Sequence, residues 1–241
     1  MTTPSLSVVI PAYNEEKYLP RTLEALLPVL SGLAIPVETI VADDASTDGT
    51  AAIARGAGCR VVSCDHRQIS RTRNSGAAEA RGGHILFLDA DTTVTPAVVA
   101  AAWSALERGA AGGGCRMDTD GEFPQRSLRL ALATWNRLSR LARWAAGGFF
   151  FCRADGFRDA AGFPAELFAG EEIALSRRLR RWGRTRGREF VILRESVLTS
   201  PRKAHLYTPA ELRRLFGGVL LRGPAALRDR RAVSPWYDGR R

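Results

Sequence analysis

The chain has 241 residues, 45% of them apolar, which is enough to bury a sizeable core and too apolar for a disordered chain. No apolar run approaches the ~20 residues that cross a bilayer, and MTTPSLSVV enters a strand-like segment without a basic region or cleavable apolar stretch, so a cytoplasmic protein is expected. The formal charge of +10 is split, with 10 Lys/Arg against 15 Asp/Glu in residues 1–123 and 25 against 10 in residues 124–241; the acidic first half and only two lysines argue against a nucleic-acid binder.

In chain order, LSVVIP (6–11) reads as a strand, and Asn14 is placed to cap a helix running to Leu30 whose first turn is bent or restarted by Pro20. VETIVAD (37–43) is a second strand; in the DDASTDGT that follows, Ser46, Thr47 and Asp48 read as helix caps. CRVVSC (59–64) is a third strand. The segment ISRTRNSGAAEARG (69–82) is a helix with Arg71 and Arg73 at its start, where cations oppose the helix dipole unless they face an anion. HILFLDAD (84–91) is a fourth strand, and Thr95 before Pro96 starts a helix ending near Arg108. Strands alternating with helices imply an α/β fold with a mostly parallel, Rossmann-like sheet and helices on both faces. The glycines at 112–114 mark the one plausible seam. The four cysteines, without CxxC spacing, read as reduced thiols rather than zinc ligands or disulfides.

In an open parallel sheet, ligands collect beyond the carboxyl ends of the strands. Three such ends carry unusual residues: PAYNEE (11–16), with Tyr13 and Glu15; Asp43 and Asp44; and Asp89 and Asp91. Carboxylates one residue apart after a buried strand cost free energy unless compensated, and a hard divalent cation, Mg²⁺ or Mn²⁺, held at Asp91 and Asp89 would compensate them. Neither GxGxxG nor a P-loop is present, so cation and arginine must hold any phosphates.

PAYNEE, DDASTDGT, RTRNSGAAEARGGHILFLDADT and GFPAELFAGEEIALSRRLRRWG, in that order over roughly residues 5–200, resemble family 2 glycosyltransferases of GT-A fold, small soluble bacterial members above all. The resemblance implies a domain over 1–200, with a donor-binding half at about 5–118 and an acceptor and catalytic half at about 119–200, then a basic helical extension at 201–241. It implies that Pro11, Ala12, Tyr13, Glu15, Asp43, Asp44 and Asp89 bind a nucleoside-diphosphate sugar, with Arg71 and Arg73 near its phosphates. Asp91 and Asp89, of the DXD motif, would bind metal. The catalytic base of an inverting transfer would be Glu172, with Glu171 as the other candidate. Glu172 stands where the family has aspartate and Ala174 where an acid is common, which keeps open a nucleotide-sugar binder without turnover. The processive QxxRW motif is missing.

The acceptor is unspecified, a lipid-linked or envelope glycan being the expected class. In PQRSLRLALATWNRLSRLARWAAGGF (124–149), Arg126, Arg129, Arg137, Arg140 and Arg143 share a sector of about 120°, with Leu128, Leu132, Trp135, Leu138, Ala142 and Ala145 opposite. Such a helix suits either an anionic membrane surface, reached peripherally on the inner face of the cytoplasmic membrane, or a protein core. His205 is a further metal-ligand candidate.

Overall fold

The computed structural model describes residues 3–119, 126–145, 147–200 and 227–231. The expected extension therefore lies outside the described residues apart from 227–231, and His205 lies outside them entirely. Strand β1 (Leu6–Ala12) is buried throughout. Val8 and Ile10 face one core and Val9 the other, as alternating strand geometry requires. Helix α1 (Leu19–Ser31) starts later than Asn14 suggests: Tyr18 is the residue before it, and Pro20 sits in the first turn, where its missing N–H breaks no helical bond. Strand β2 (Val37–Asp44), helix α2 (Thr50–Gly56), strand β3 (Arg60–Cys64), helix α3 (Ile69–Ala78), strand β4 (His84–Leu88) and the short β5 (Thr92–Thr93) follow. Helix α4 (Pro96–Glu107) begins as the sequence predicts, with Thr95 Oγ1 accepting from the Val98 N–H at 3.3 Å. Then come β6 (Gly112–Thr119), α5 (Arg126–Ala142), β7 (Phe149–Arg153), α6 (Ala154–Asp159), α7 (Glu171–Arg184) and β8 (Phe190–Thr199).

These strands form one sheet in the order β3-β2-β1-β4-β7-β6-β8-β5. Pairings are parallel from β3 through β4, and beyond β4 the sheet is mixed: β7 is antiparallel to both β4 and β6, β8 is parallel to β6, and β5 is antiparallel to β8. One core packs α1 and α4 on Ile10, Leu86, Leu88 and Phe151; the other packs α6 and α7 on Phe87, Phe150, Phe163 and Phe190. Each such side chain contributes roughly 1.5–3 kcal/mol by leaving water. No described helix is long and apolar enough to cross a membrane.

One expectation is corrected, and the apolar sector of α5 is divided, with Leu132, Trp135 and Ala142 half-buried and Leu138 exposed. Gly112 to Gly114 are not a seam but the buried start of β6, between β7 and β8. Their lack of a Cβ permits close strand packing, for a Cβ on Gly113 would lie 2.2 Å from the Val191 carbonyl oxygen and 2.5 Å from the Phe151 ring. Helix α5 does not put Leu138 on its inward side. Asn136 and Ser139 face inward, Asn136 bonding both the N–H and the carbonyl of Met117 in β6, while Leu138 is exposed with Leu130 and Leu141.

The β1–β4 ladder ends at Val9–Phe87, whereas β1–β2 continues to Ala12–Asp43. Beyond Val9 the strand tips separate. This is where the chain, having built outward through β2 and β3, crosses to the other side of β1, the position at which open α/β sheets form their crevices.

Gly113→Ala tests the tight strand packing. It is expected to lower stability by about 1–3 kcal/mol, read as a drop in thermal midpoint, while Gly56→Ala, whose added Cβ meets nothing within 4 Å, serves as the neutral control.

Candidate active site

The first two strand tips are knitted to each other. Asn14, at a φ of 51°, donates its N–H to Ser46 Oγ at 2.9 Å, and its Oδ1 accepts from the Thr47 N–H at 2.8 Å. Glu15 N–H reaches Thr50 Oγ1 at 2.8 Å, Glu16 N–H reaches Asp48 Oδ2 at 3.2 Å, and Gly49 N–H returns to Glu16 Oε2 at 2.8 Å. Ser46, Thr47 and Asp48 are thus mostly spent on holding the PAYNEE loop. None of the three is the cap expected: Gly49 precedes α2, which has no side-chain cap, and Asp48 Oδ1 accepts from the Thr50 N–H at 3.0 Å in a local turn one residue earlier.

Asp43 and Asp44 are neighbours with different duties. Asp44 Oδ1 accepts from His66 N–H at 2.5 Å, and its Oδ2 accepts from Thr72 Oγ1 at 2.8 Å and Gln68 N–H at 3.3 Å. It organises the entry to α3, and both its oxygens are committed. Asp43 is buried as well, yet its Oδ1 has no hydrogen-bond partner. An unpaired buried acceptor costs about 1–3 kcal/mol, a cost that a ligand N–H or O–H arriving at that point would remove. Ala12, its register partner on β1, leads into Tyr13, whose ring lies 4.0 Å from the Arg67 guanidinium. Glu15 is buried, and Pro11 and Ala12 complete the buried end of β1.

The third tip is anchored by α1 and β7. Thr22 Oγ1 donates to the Ala90 carbonyl at 2.8 Å, and Asp89 N–H donates to the Gly148 carbonyl at 2.9 Å. A Cβ on Gly148 would lie 2.4 Å from Thr92 Oγ1, so only glycine lets β7 approach the turn this closely.

Arg73 joins this turn to α7. Its Nη2 donates to Asp89 Oδ1 at 2.7 Å, and its Nη1 donates to Glu171 Oε1 at 3.1 Å and to Glu172 Oε1 at 3.0 Å. The Arg73 side chain is 2% exposed, Glu171 5%, Glu172 13% and Asp89 27%. Burial by itself would lower the Arg73 pKa, but the carboxylates of Asp89, Glu172 and Glu171 hold it above its ordinary value. Glu171 is driven the other way from a normal carboxyl: burial first, then the charge of Glu172, pushes it up against the pull of Arg73. Three acids share one cation, and the deepest of them is the one pushed toward its neutral form.

Arg71, also expected at the phosphates, is exposed; two residues from Arg73, it lies about 200° round the helix. Among the expected residues, then, Asp89, Arg73, Glu171 and Glu172 come into direct contact, and Tyr13 and Asp43 flank the neighbouring tips. Sequence reasoning missed Arg67, Gln68 and Asn74. Gln68 Nε2 donates to the carbonyls of Ala165 and Leu167 at 2.7 and 2.9 Å, and Asn74 bonds both the N–H and carbonyl of Phe163. These bonds fix the segment leading into α7 against α3, and their only sequence signal is an amide just before the helix and another within it.

No trio of His, Cys, Asp and Glu able to enclose a metal ion occurs among the described residues. The β4 tip offers two carboxylates, Asp89 with Oδ1 bound to Arg73 and the half-buried Asp91. That donor set fits Mg²⁺ or Mn²⁺, which take oxygen ligands and draw several from water and substrate phosphate.

A carboxyl whose folded pKa lies above its unfolded one stabilises the fold at low pH. The contribution of Glu171 is complete below 4.5 and is lost as pH rises through about 8. Glu171→Gln, which cannot ionise, is expected to flatten the decline in thermal midpoint across that window. An unchanged slope would show that Glu171 ionises normally.

The chain matches the model of a family described as glycosyl transferase family 2 over residues 7–160. It is 40% identical over 97 residues to the 4,4'-diaponeurosporenoate glycosyltransferase of Staphylococcus haemolyticus, a match covering 37% of this chain and 25% of that protein. The chain thus spans about a quarter of the length of the curated relatives it matches. Its fold is similar to the mannosyltransferase PcManGT from Pyrobaculum calidifontis, solved with GDP-Man and Mn²⁺, at TM-score 0.63 and 17% identity, covering 99% of this chain and 68% of that one. It is also similar to glucosyl-3-phosphoglycerate synthase from Mycobacterium tuberculosis, solved with Mn²⁺, UDP and glucosyl-3-phosphoglycerate, at TM-score 0.60 and 20% identity, covering 98% and 80%.

Proposed function

Because the chain belongs to glycosyl transferase family 2, we propose that it is an inverting glycosyltransferase, moving a sugar from a nucleoside-diphosphate sugar to an acceptor hydroxyl with a divalent cation at Asp91 and Asp89. The observation that carries this reading is the convergence on Arg73 of Asp89, from the β4 tip, with Glu171 and Glu172, from the start of α7. Transfer needs a leaving-group side and a base side in one place, and Arg73 ties the two elements that would supply them.

Each residue then has a chemical task. The Tyr13 ring face and the unpaired Asp43 Oδ1 are suited to a nucleobase, the ring by stacking and the oxygen by accepting a base N–H. Asp91 and Asp89 would hold the cation, which supplies charge neutralisation for the departing diphosphate. Glu172 is the base. It is more exposed than Glu171, so an incoming hydroxyl reaches it more easily. As Glu172 takes the hydroxyl proton, the acceptor oxygen bonds to the anomeric carbon from the side opposite the diphosphate. The bond to the diphosphate oxygen breaks and its electron pair leaves with that oxygen, so the configuration inverts. The GDP-Man, UDP and Mn²⁺ present in the two similar structures support a nucleotide donor and a divalent cation here.

Calorimetric titration with UDP- and GDP-sugars in the presence of Mn²⁺ tests the donor site. One donor is expected to bind, and Asp43→Asn, which puts an N–H donor in competition for the place of the unpaired oxygen, should weaken it on the order of tenfold or more. Asp91→Asn should remove the Mn²⁺ dependence. Glu172→Gln should keep donor binding and lower kcat by about 10²–10⁴; full turnover in that variant would remove Glu172 from the base role.

A further inference from the structure

Helix α5 carries polar side chains on its inward face and leaves part of its apolar side outside. Asn136 points at β6, where it bonds both backbone groups of Met117, and the buried Ser139 donates its hydroxyl to the Trp144 carbonyl at 2.7 Å. Three leucines point the other way, while Leu132 is half-buried: Leu130 is 69% exposed, Leu138 51% and Leu141 81%, and these are the large apolar side chains left exposed among the described residues. At about 100° per residue they fall within about 80° of one another. A helix that only packs on a protein core buries its leucines and exposes its amides.

The charge around this face has one dominant sign. Arg137 and Arg140 are exposed on the helix, and Arg143 is exposed just beyond it. Helix α7 adds two more: Arg180 donates to the Ala142 carbonyl at 2.6 Å, and the exposed Arg177 holds its guanidinium 4.8 Å from the centre of the Trp144 ring. Among the described residues the acid paired with this group is Glu189, 3.9 Å from Arg143 with both side chains largely in water, a pair worth little.

We propose that the α5 face bearing Leu130, Leu138 and Leu141, with its arginine rim, docks on an anionic lipid surface. The pattern matches the two needs of an interfacial helix. Leucines gain by entering the boundary between headgroups and acyl chains, and long arginine side chains at their edge reach lipid phosphates. The surface goes beyond the transfer chemistry, uses none of its residues, and places the crevice on the same molecule that the lipid holds. A hydroxyl presented at that membrane is then the class of acceptor within its reach.

Flotation of the full chain with phosphatidylcholine vesicles, with and without phosphatidylglycerol, tests this at low and high salt. Co-flotation is expected with the anionic vesicles only, and salt should release it. Leu138→Asp with Leu141→Asp should abolish flotation, and Arg137→Gln with Arg140→Gln should weaken it on the order of fivefold per arginine. Both variants change exposed side chains, so their thermal midpoints should match the wild type. Donor binding, measured on the same variants, should survive; it separates failure of this surface from failure of the donor site. Three results overturn the proposal: no flotation from a monomeric protein, which would leave the face to the chain's own C-terminal residues; sedimentation as a dimer that the leucine variant dissociates, which would assign it to a second copy; or equal flotation of the leucine variant.

Discussion

One buried guanidinium sets the arrangement of the crevice. Arg73 is 2% exposed and bonds carboxylates from two separate elements, Asp89 at the β4 tip and the adjacent Glu171 and Glu172 at the start of α7. Taking a charge out of water costs several kcal/mol, and the cost is recovered only with close, well-directed partners. Arg73 therefore permits the three acids to stand together, and they in turn permit it to be buried. Neither set is tolerable alone, which is why α3, the β4 tip and α7 have to keep one relative position. Hydrogen bonds reinforce that position from the side: Gln68 and Asn74, on either flank of Arg73, clamp the backbone at Phe163, Ala165 and Leu167.

The other half of the crevice is rigid for a different reason. The PAYNEE and DDASTDGT loops share bonds between residues about thirty apart in sequence, among them Asn14 with Ser46 and Thr47, and Glu16 with Gly49. Backbone groups at strand tips have no ladder partners and must find others. Here each loop serves as the other's partner, so Tyr13 and Asp43 are presented from a fixed frame rather than from two independent segments. A crevice held this way loses little entropy when a ligand arrives.

Much of this was legible in the sequence, and what was not has a common cause. Apolar runs located β1 and β4 because a strand buried on both faces needs no partner information to be recognised; β2 and the half-buried edge strand β3 were legible from their runs of Val and Ile. The same holds for Thr95 and Pro96, a local signal for a local event. Asn14 and Asp44 were misjudged or only half understood because their partners lie far along the chain, at Ser46 and Thr47 and at Gln68 and Thr72. At the start of α3 the Arg73 cation calls for an anion, but no local rule says whether that anion belongs to a ligand or to residues about a hundred positions away, as Glu171 and Glu172 are. The orientation of α5 was legible in part: Leu132, Trp135 and Ala142 are half-buried, as their shared sector suggests, whereas the exposure of Leu138 goes with two hydrogen bonds from Asn136 to Met117, a partner that the helix's own pattern does not reveal.

The pair at the start of α7 illustrates how one environment gives adjacent identical side chains different chemistry. Acids in the first turn of a helix are favoured by the dipole, so both glutamates have an ordinary reason to be there. Depth then separates them. Glu171 points into a site where burial and the neighbouring charge outweigh what Arg73 returns, and its carboxyl pKa rises; Glu172 shares the same Nη1 but keeps more contact with water. Two adjacent carboxyls face a single guanidinium, and the inner one, with less water to spread its charge, is the one pushed toward its neutral form. The difference does not need two kinds of side chain. It needs only that one of two like neighbours sits deeper than the other.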